Sequence, residues 1–269
     1  GILNVNMNIH AVIVEKLSQK RMMSGMHALW SVGCFAGAGL FSILAKLGLG
    51  ISQIAIIHCI IIFMIIFAFS RYFLPYKGAS NGKAIAIPKG IVTLFGVLAV
   101  ISFLGEGGMM DWSGVFLTEA KGVDLSLAGV GYAVFSAAML IGRLIGDKVV
   151  QKLGEQRVVI FGGIVASVGY IISIVFDNFF MMQFGFILLG FGAANIVPVV
   201  FTLLGRQKEM PINSAVTAVT SMGYLGVMFG PALLGFIAHG IGIVAVFCIL
   251  AGLFILQAIV SSYVFKVLN

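Results

Sequence analysis

Eight apolar stretches, each about as long as a bilayer core is thick, divide this chain. They are Met26–Ala45, Ile51–Leu74, Ile91–Leu117, Leu127–Val149, Val158–Phe176, Phe179–Leu204, Ile212–Ala238 and Ile243–Phe265, and a shorter apolar piece runs up to Val14. A helix rising about 1.5 Å per residue needs roughly 20 such residues to cross the hydrocarbon. Lipid offers the backbone no hydrogen bonds, and these stretches lack the period-two alternation of barrel strands, so helices are the reading. Fourteen of the sixteen Lys and Arg fall in or beside every second gap: Lys16, Lys20 and Arg21; Arg71, Lys77, Lys83 and Lys89; Arg143, Lys148, Lys152 and Arg157; Arg206 and Lys208; and Lys266 at the end. Only Lys46 and Lys121 lie in the intervening gaps. Short loops rich in Lys and Arg stay in the cytoplasm, so these gaps and the C-terminus are expected inside a plasma or inner membrane.

Composition narrows the class further. The chain is 61% hydrophobic and 9% charged, and its mean hydropathy is +1.15. In a soluble globule about a quarter of residues are charged. A net charge of +7 would suit nucleic acid if it were gathered on one face. It is spread over successive loops beside the spans, where topology and anionic headgroups account for it, so the bilayer is the expected partner and nucleic acid is not. Cys34, Cys59 and Cys248 each sit inside an apolar stretch at no metal-ligand spacing and read as packing residues, with no metal or cofactor implied.

The piece up to Val14 supplies about 14 residues where a span needs roughly 20, and reads as the inner part of a helix that begins upstream. Two short matches recur about 190 residues apart, roughly the length of six spans with their loops. They pair Gly1-x-x-Asn4 with Gly192-x-x-Asn195, and Ser31-x-Gly33 with Ser221-x-Gly223. A duplicated six-helix architecture follows. Residues 1–75 are then the remnant of an N-terminal half (part of its fourth helix, and its fifth and sixth), 76–90 a cytoplasmic linker, and 91–269 a complete C-terminal half. About 100 residues would precede Gly1 in the intact protein.

Ionisable side chains at membrane depth are costly and face a partner or a water-filled path. Glu106 and Asp111 lie within one stretch, Leu104-Gly105-Glu106-Gly107-Gly108-Met109-Met110-Asp111-Trp112-Ser113. Asp111 falls near the outer interface and Glu106 deeper. The glycines around Glu106 predict a locally broken helix that brings polar groups to a midplane site. Glu106 then contacts solute or carries a coupling proton, or else is a structural carboxyl bonded to a neighbouring helix. Asn4, Asn195 and Gln183 add amides, which both donate and accept. They suit a polyhydroxylated solute or an interhelical hydrogen bond. Pro198 is expected to loosen its helix. Trp30, Trp112, Tyr132 and Tyr224 either stack on sugar rings or form the aromatic belt, and His27 and His239 read as interfacial.

The segment Gly142-Arg143-Leu144-Ile145-Gly146-Asp147-Lys148, continuing through Lys152 and Gly154 to Arg157, joins two spans on the basic side. It resembles the Gly-x-x-x-Asp-(Arg/Lys)-x-Gly-(Arg/Lys)-(Arg/Lys) loop of the major facilitator superfamily. It departs from that pattern in a Gly142-to-Asp147 spacing one residue longer, and in Glu155 and Gln156 at usually basic sites. The resemblance implies a cytoplasmic conformational latch of Gly142, Arg143, Gly146, Asp147, Lys148 and Arg157. Met26–Gly33 and Gly105–Ser113 resemble a bacterial inner-membrane branch of the same superfamily, distantly similar to fucose permeases. That likeness covers essentially the whole chain and implies an all-α fold of two six-helix bundles rocking around a central site, with proton-coupled symport of a small polar solute, a sugar among the candidates. Gly226-x-x-x-Gly230-Pro231 resembles a drug–proton antiporter signature, but that one belongs to the other half.

Multidrug efflux is the alternative within transport, and a non-transporting receptor or scaffold the alternative outside it. Enzyme chemistry is not indicated: the sequence holds no His-Glu-x-x-His pair, Gly-x-Ser-x-Gly elbow or phosphate-binding Gly-Lys-Ser loop.

Overall fold

The computed structural model describes residues 2–72 and 86–268. Gly1 and most of the expected linker, with Lys77 and Lys83, lie outside the described residues. Ten α-helices follow one another: α1 (Ile2–Ser18), α2 (Met23–Lys46), α3 (Ile51–Phe69), α4 (Ile91–Val115), α5 (Val130–Leu153), α6 (Glu155–Val175), α7 (Phe179–Ala193), α8 (Ile196–Leu204), α9 (Ile212–Ile241) and α10 (Ile243–Leu268). No strand occurs among the described residues. Among the described residues, eight helical segments are long and apolar enough to cross a membrane, with α7 and α8 together forming one of them. Their limits follow the apolar stretches within a few residues, because the same residues that must avoid water must also close their own hydrogen bonds.

Two connections are single glycines. Gly154 (φ 84°) separates α5 from α6 and Gly242 (φ 91°) separates α9 from α10. A residue with a Cβ is strained at those angles. At the start of α7 the Asn178 side chain accepts the backbone N–H of Met181, satisfying one of the donors a helix leaves free.

Packing is uneven along the chain. Helix α4 lies against α9 and α10, α6 between α7 and α10, and α7 against α5. Helices α6 and α7 meet backbone to backbone: a Cβ added at Gly162 would lie 2.6 Å from the Gly192 carbonyl oxygen, and one at Gly185 would lie 2.6 Å from that of Gly169. Aromatic rings fill the middle of this bundle, with Phe116 stacked on Phe247 at 4.0 Å and Tyr170 edge-on to Phe247 at 5.4 Å. Helix α2 packs on α5 and α8, α3 packs on α2, and α1 touches α8 and α9. Most apolar side chains of α2 and α3 point away from the rest of the molecule.

One expectation about helix continuity is corrected, and the loosening expected at Pro198 is seen. Helix α4 is unbroken at Glu106, and its irregularity is a π turn at Phe116–Ala120. Gly105 and Gly108 serve packing instead, since a Cβ at either would strike Phe254 or Leu250 of α10. The interrupted span is Phe179–Leu204, which breaks between α7 and α8 at Ala194 and Asn195. Pro198 explains the break: it has no N–H to give the carbonyl four residues back, that of Ala194, and its ring crowds that oxygen.

Candidate functional site

Glu106 stands half-way along the span Ile91–Ala120 and meets Arg143, from α5, inside the bundle. One guanidinium nitrogen of Arg143 donates to both carboxylate oxygens, at 3.2 and 3.3 Å. Its Nη1 donates to Ser31 Oγ on α2 at 3.3 Å. Its Nε donates to the Ala194 carbonyl at 3.3 Å, the oxygen that Pro198 leaves without its helical partner. Arg143 is thus tied at once to α4, to α2 and to the break between α7 and α8. Its side chain is 6% exposed and that of Glu106 22%, so the carboxylate is the less buried partner.

Arg143 was grouped by sequence with an inner-surface loop, and the structure puts it elsewhere. Residues 142–148 belong to α5, which runs on to Leu153, and Arg143 is buried among three neighbouring elements. The two glycines of the segment let those elements approach. A Cβ at Gly142 would stand 2.7 Å from Ala194 Cβ, and one at Gly146 would collide with the Asn195 amide and stand 2.8 Å from Ser24 Cβ. Asn195 donates its Nδ2 to the Gly142 carbonyl at 3.0 Å, while its buried Oδ1 has no partner among the described residues. So α5 carries a glycine-lined seat for the broken span one turn from its arginine.

Toward the basic end, Asp147 accepts the backbone N–H groups of Ser24 (3.0 Å) and Gly25 (2.9 Å) in the first turn of α2. A carboxylate there satisfies orphan donors and opposes the positive end of the helix dipole. Glu15, at the end of α1, accepts Met22 N–H and Met23 N–H at 2.8 Å each and the Thr202 hydroxyl of α8 at 2.5 Å. Glu155 holds Arg21 at 2.5 Å and Arg206 at 2.9 Å. Residues 15–25 are thereby tied to α5 through Asp147, to α6 through Arg21 and Glu155, and to α8 through Glu15 and Thr202, all at one end of the bundle. Lys148 and Arg157 are exposed beside them.

The remaining sequence candidates do not join the Glu106 cluster. Asp111 is exposed, Trp30 is 58% exposed, and Tyr224 is half-buried with its ring tilted against Phe103 at 6.3 Å. Asn4 accepts Asn8 Nδ2 at 2.8 Å within α1. Gln183 is buried in α7 with neither amide atom partnered among the described residues. His27, read as interfacial, instead turns inward against Phe201 at 5.8 Å with Nε2 buried. Sequence reasoning missed Ser31 as a partner of Arg143, the carboxylate of Glu15, and Tyr170, whose hydroxyl donates to the Gly105 carbonyl at 3.1 Å beside Glu106. A hydroxyl or carboxylate inside an apolar run was the available signal, but nothing in the run says which helix it faces.

Comparison with known proteins gives this geometry a context. Residues 95–268 match the family model described as Major Facilitator Superfamily. The chain is 45% identical over 242 residues to an uncharacterised MFS-type transporter of Yersinia pestis, covering 89% of this chain and 62% of that protein. It is 29% identical to an uncharacterised transporter of Sinorhizobium fredii, covering 89% and 64%, and 26% identical to the membrane protein MosC of Rhizobium meliloti, covering 90% and 60%. The chain thus spans about three-fifths of the length of these relatives. Among solved structures, the human organic anion transporter MFSD10 superposes with a TM-score of 0.72 at 17% identity, covering 95% of this chain and 66% of that one. That likeness is one of fold.

Proposed function

This chain belongs to the major facilitator superfamily, and from that premise we propose that it takes part in moving a small polar solute across the inner membrane by alternating access, coupled to protons through Glu106. On this reading residues 91–269 are one complete six-helix half, 1–75 belong to the other half, 76–90 link them, and the basic end faces the cytoplasm. The observation that carries the proposal is the Glu106–Arg143 pair, because its bonds reach across the proposed boundary between halves to Ser31 of α2.

The chemistry runs as follows. An ion pair in a low-dielectric bundle holds only while both partners are charged, and removing one charge leaves the other uncompensated. A proton arriving at the less buried partner, Glu106, neutralises it and loosens the guanidinium. Arg143 can then turn toward a solute or give up Ser31, and either change weakens the contact between α2 and α5. Asn195, with one amide atom engaged and the other free, adds an acceptor at the broken span for a hydroxylated solute such as a sugar. A second reading has the solute carry a carboxylate that takes the place of Glu106 on Arg143. The single buried guanidinium favours it, since arginine pairs well with carboxylates, and the solved relative MFSD10 is described as an organic anion transporter.

Flux into proteoliposomes under an imposed pH gradient tests the proposal on the full-length protein. Glu106→Gln is expected to abolish the stimulation of uptake by the gradient. Solute exchange without a gradient is expected to persist. Gradient-driven uptake at the wild-type rate in that variant removes Glu106 from coupling.

A further inference from the structure

A cavity of about 550 Å³ opens at the basic end between the end of α1 and the turn after α8. Five cations line it, Lys16, Lys20, Arg21, Arg206 and Lys208, against one carboxylate, Glu15. That carboxylate is already engaged by two backbone N–H groups and the Thr202 hydroxyl. Arg21 and Arg206 are held by Glu155 from outside the cavity. Among the described residues, no carboxylate is paired with Lys16, Lys20 or Lys208.

The walls of this cavity are shaped rather than loose. At the end of α1, Gln19 adopts φ 55° and donates its backbone N–H to the Glu15 carbonyl, and its amide bonds to the Lys16 carbonyl at 2.7 Å. Across the gap the buried Gln207 side chain accepts Met210 N–H and donates to the Met210 carbonyl, which fixes the turn that carries Arg206 and Lys208. Three uncompensated ammonium groups around a preformed hollow raise the local potential and draw an anion. A basic hollow between helices at the inner headgroup level is suited to a phosphorylated headgroup, and its volume exceeds what a lone phosphate fills while matching small-molecule pockets.

We infer that this cleft is a binding site for a phosphate-bearing anion, either a lipid headgroup or a soluble phosphate ester, held by Lys16, Lys20 and Lys208. A ligand seated there touches α1 and the α8–α9 turn together. It therefore adds to the links that keep the basic end closed, and it regulates the proposed transport cycle from outside the Glu106 site. The gating consequence rests on the proposed function, but the binding does not.

Native mass spectrometry of the full-length protein tests the site with two probes, dioleoyl phosphatidylglycerol and glycerol 3-phosphate, with dioleoyl phosphatidylcholine as the zwitterionic reference. The variant K16Q/K20Q/K208Q is compared with K89Q/K152Q/K266Q, which removes three exposed lysines elsewhere. Retention of phosphatidylglycerol, or of glycerol 3-phosphate, that falls about tenfold or more in the first variant and stays near wild type in the second supports the site and identifies the source. Equal losses in the two variants mean diffuse surface attraction and overturn it. Unchanged binding in K16Q/K20Q/K208Q overturns it as well. None of these outcomes depends on whether Glu106 carries a proton.

Discussion

Two polar contacts on α4, four residues apart, differ in a way that bears on the role proposed for Glu106. Ser102 accepts Gln257 Nε2 of α10 at 2.9 Å, and both residues are fully buried. Glu106 meets Arg143 of α5 with its side chain 22% exposed. The first contact is neutral, sealed and confined to one bundle. The second is charged, partly exposed, and connected to α2 and to a helix break. A sealed neutral bond holds two helices in register, whereas a partly exposed ion pair can exchange a partner for a proton or a solute. On the function proposed for Glu106, polarity alone does not mark the working site; polarity with access and a link to a second element does.

The strongest way to break this contrast is at the arginine. Arg143→Leu leaves Glu106 uncompensated and frees Ser31 and the Ala194 carbonyl, and is expected to destabilise the protein by about 3–5 kcal/mol. Thermal unfolding in detergent measures it. Adding Glu106→Leu should recover most of the loss while transport stays abolished, and a double variant no more stable than the single one would mean the two side chains are not coupled. Next comes the seat of the broken span. Gly146→Ala drives a methyl into Asn195 and Ser24, an overpacking expected to cost about 1–3 kcal/mol, read from the same unfolding curves.

A smaller effect is expected at the basic end. Asp147→Asn removes the charge from the first turn of α2 and should weaken closure by about 1 kcal/mol. The readout is the labelling rate of a cysteine introduced at the buried Val12, with the three native cysteines replaced. The rate rises if Asp147 holds that end shut, and an unchanged rate dismisses it as a latch. The smallest effect sharpens the contrast from the other side. Gln257→Leu should change stability by less than about 1 kcal/mol, since interhelical hydrogen bonds in membranes are weak, and should leave uptake at wild-type levels.

Hydropathy made the spans legible almost residue by residue. Phe179–Leu204 has the limits read from sequence, and Ile51, Ile91, Ile212 and Ile243 each open the helix assigned to them. Exclusion of apolar side chains from water is a local property, so a single strand of sequence carries it. Pairing between helices is not local. Arg143 was drawn into a surface loop by its neighbours Asp147 and Lys148, although α5 continues for ten residues beyond it, about 15 Å of helix. A break was expected at the glycines near Glu106, where α10 instead packs into the space they leave, and a loosening at Pro198, which takes away a hydrogen bond and interrupts its span at Ala194 and Asn195. The proline effect is local and was legible in sequence; the fate of the glycines was not, because the packing of α10 decided it.

The glycine contact between α6 and α7 has its own consequence. With main chain against main chain at Gly162, Gly169, Gly185 and Gly192, neither helix has side-chain slack through which to slide past the other. The two form a stiff pair, and under the proposed transport cycle they are expected to move as one body. Helix α10 packs on the far flank of that pair, so the three helices form one continuous layer.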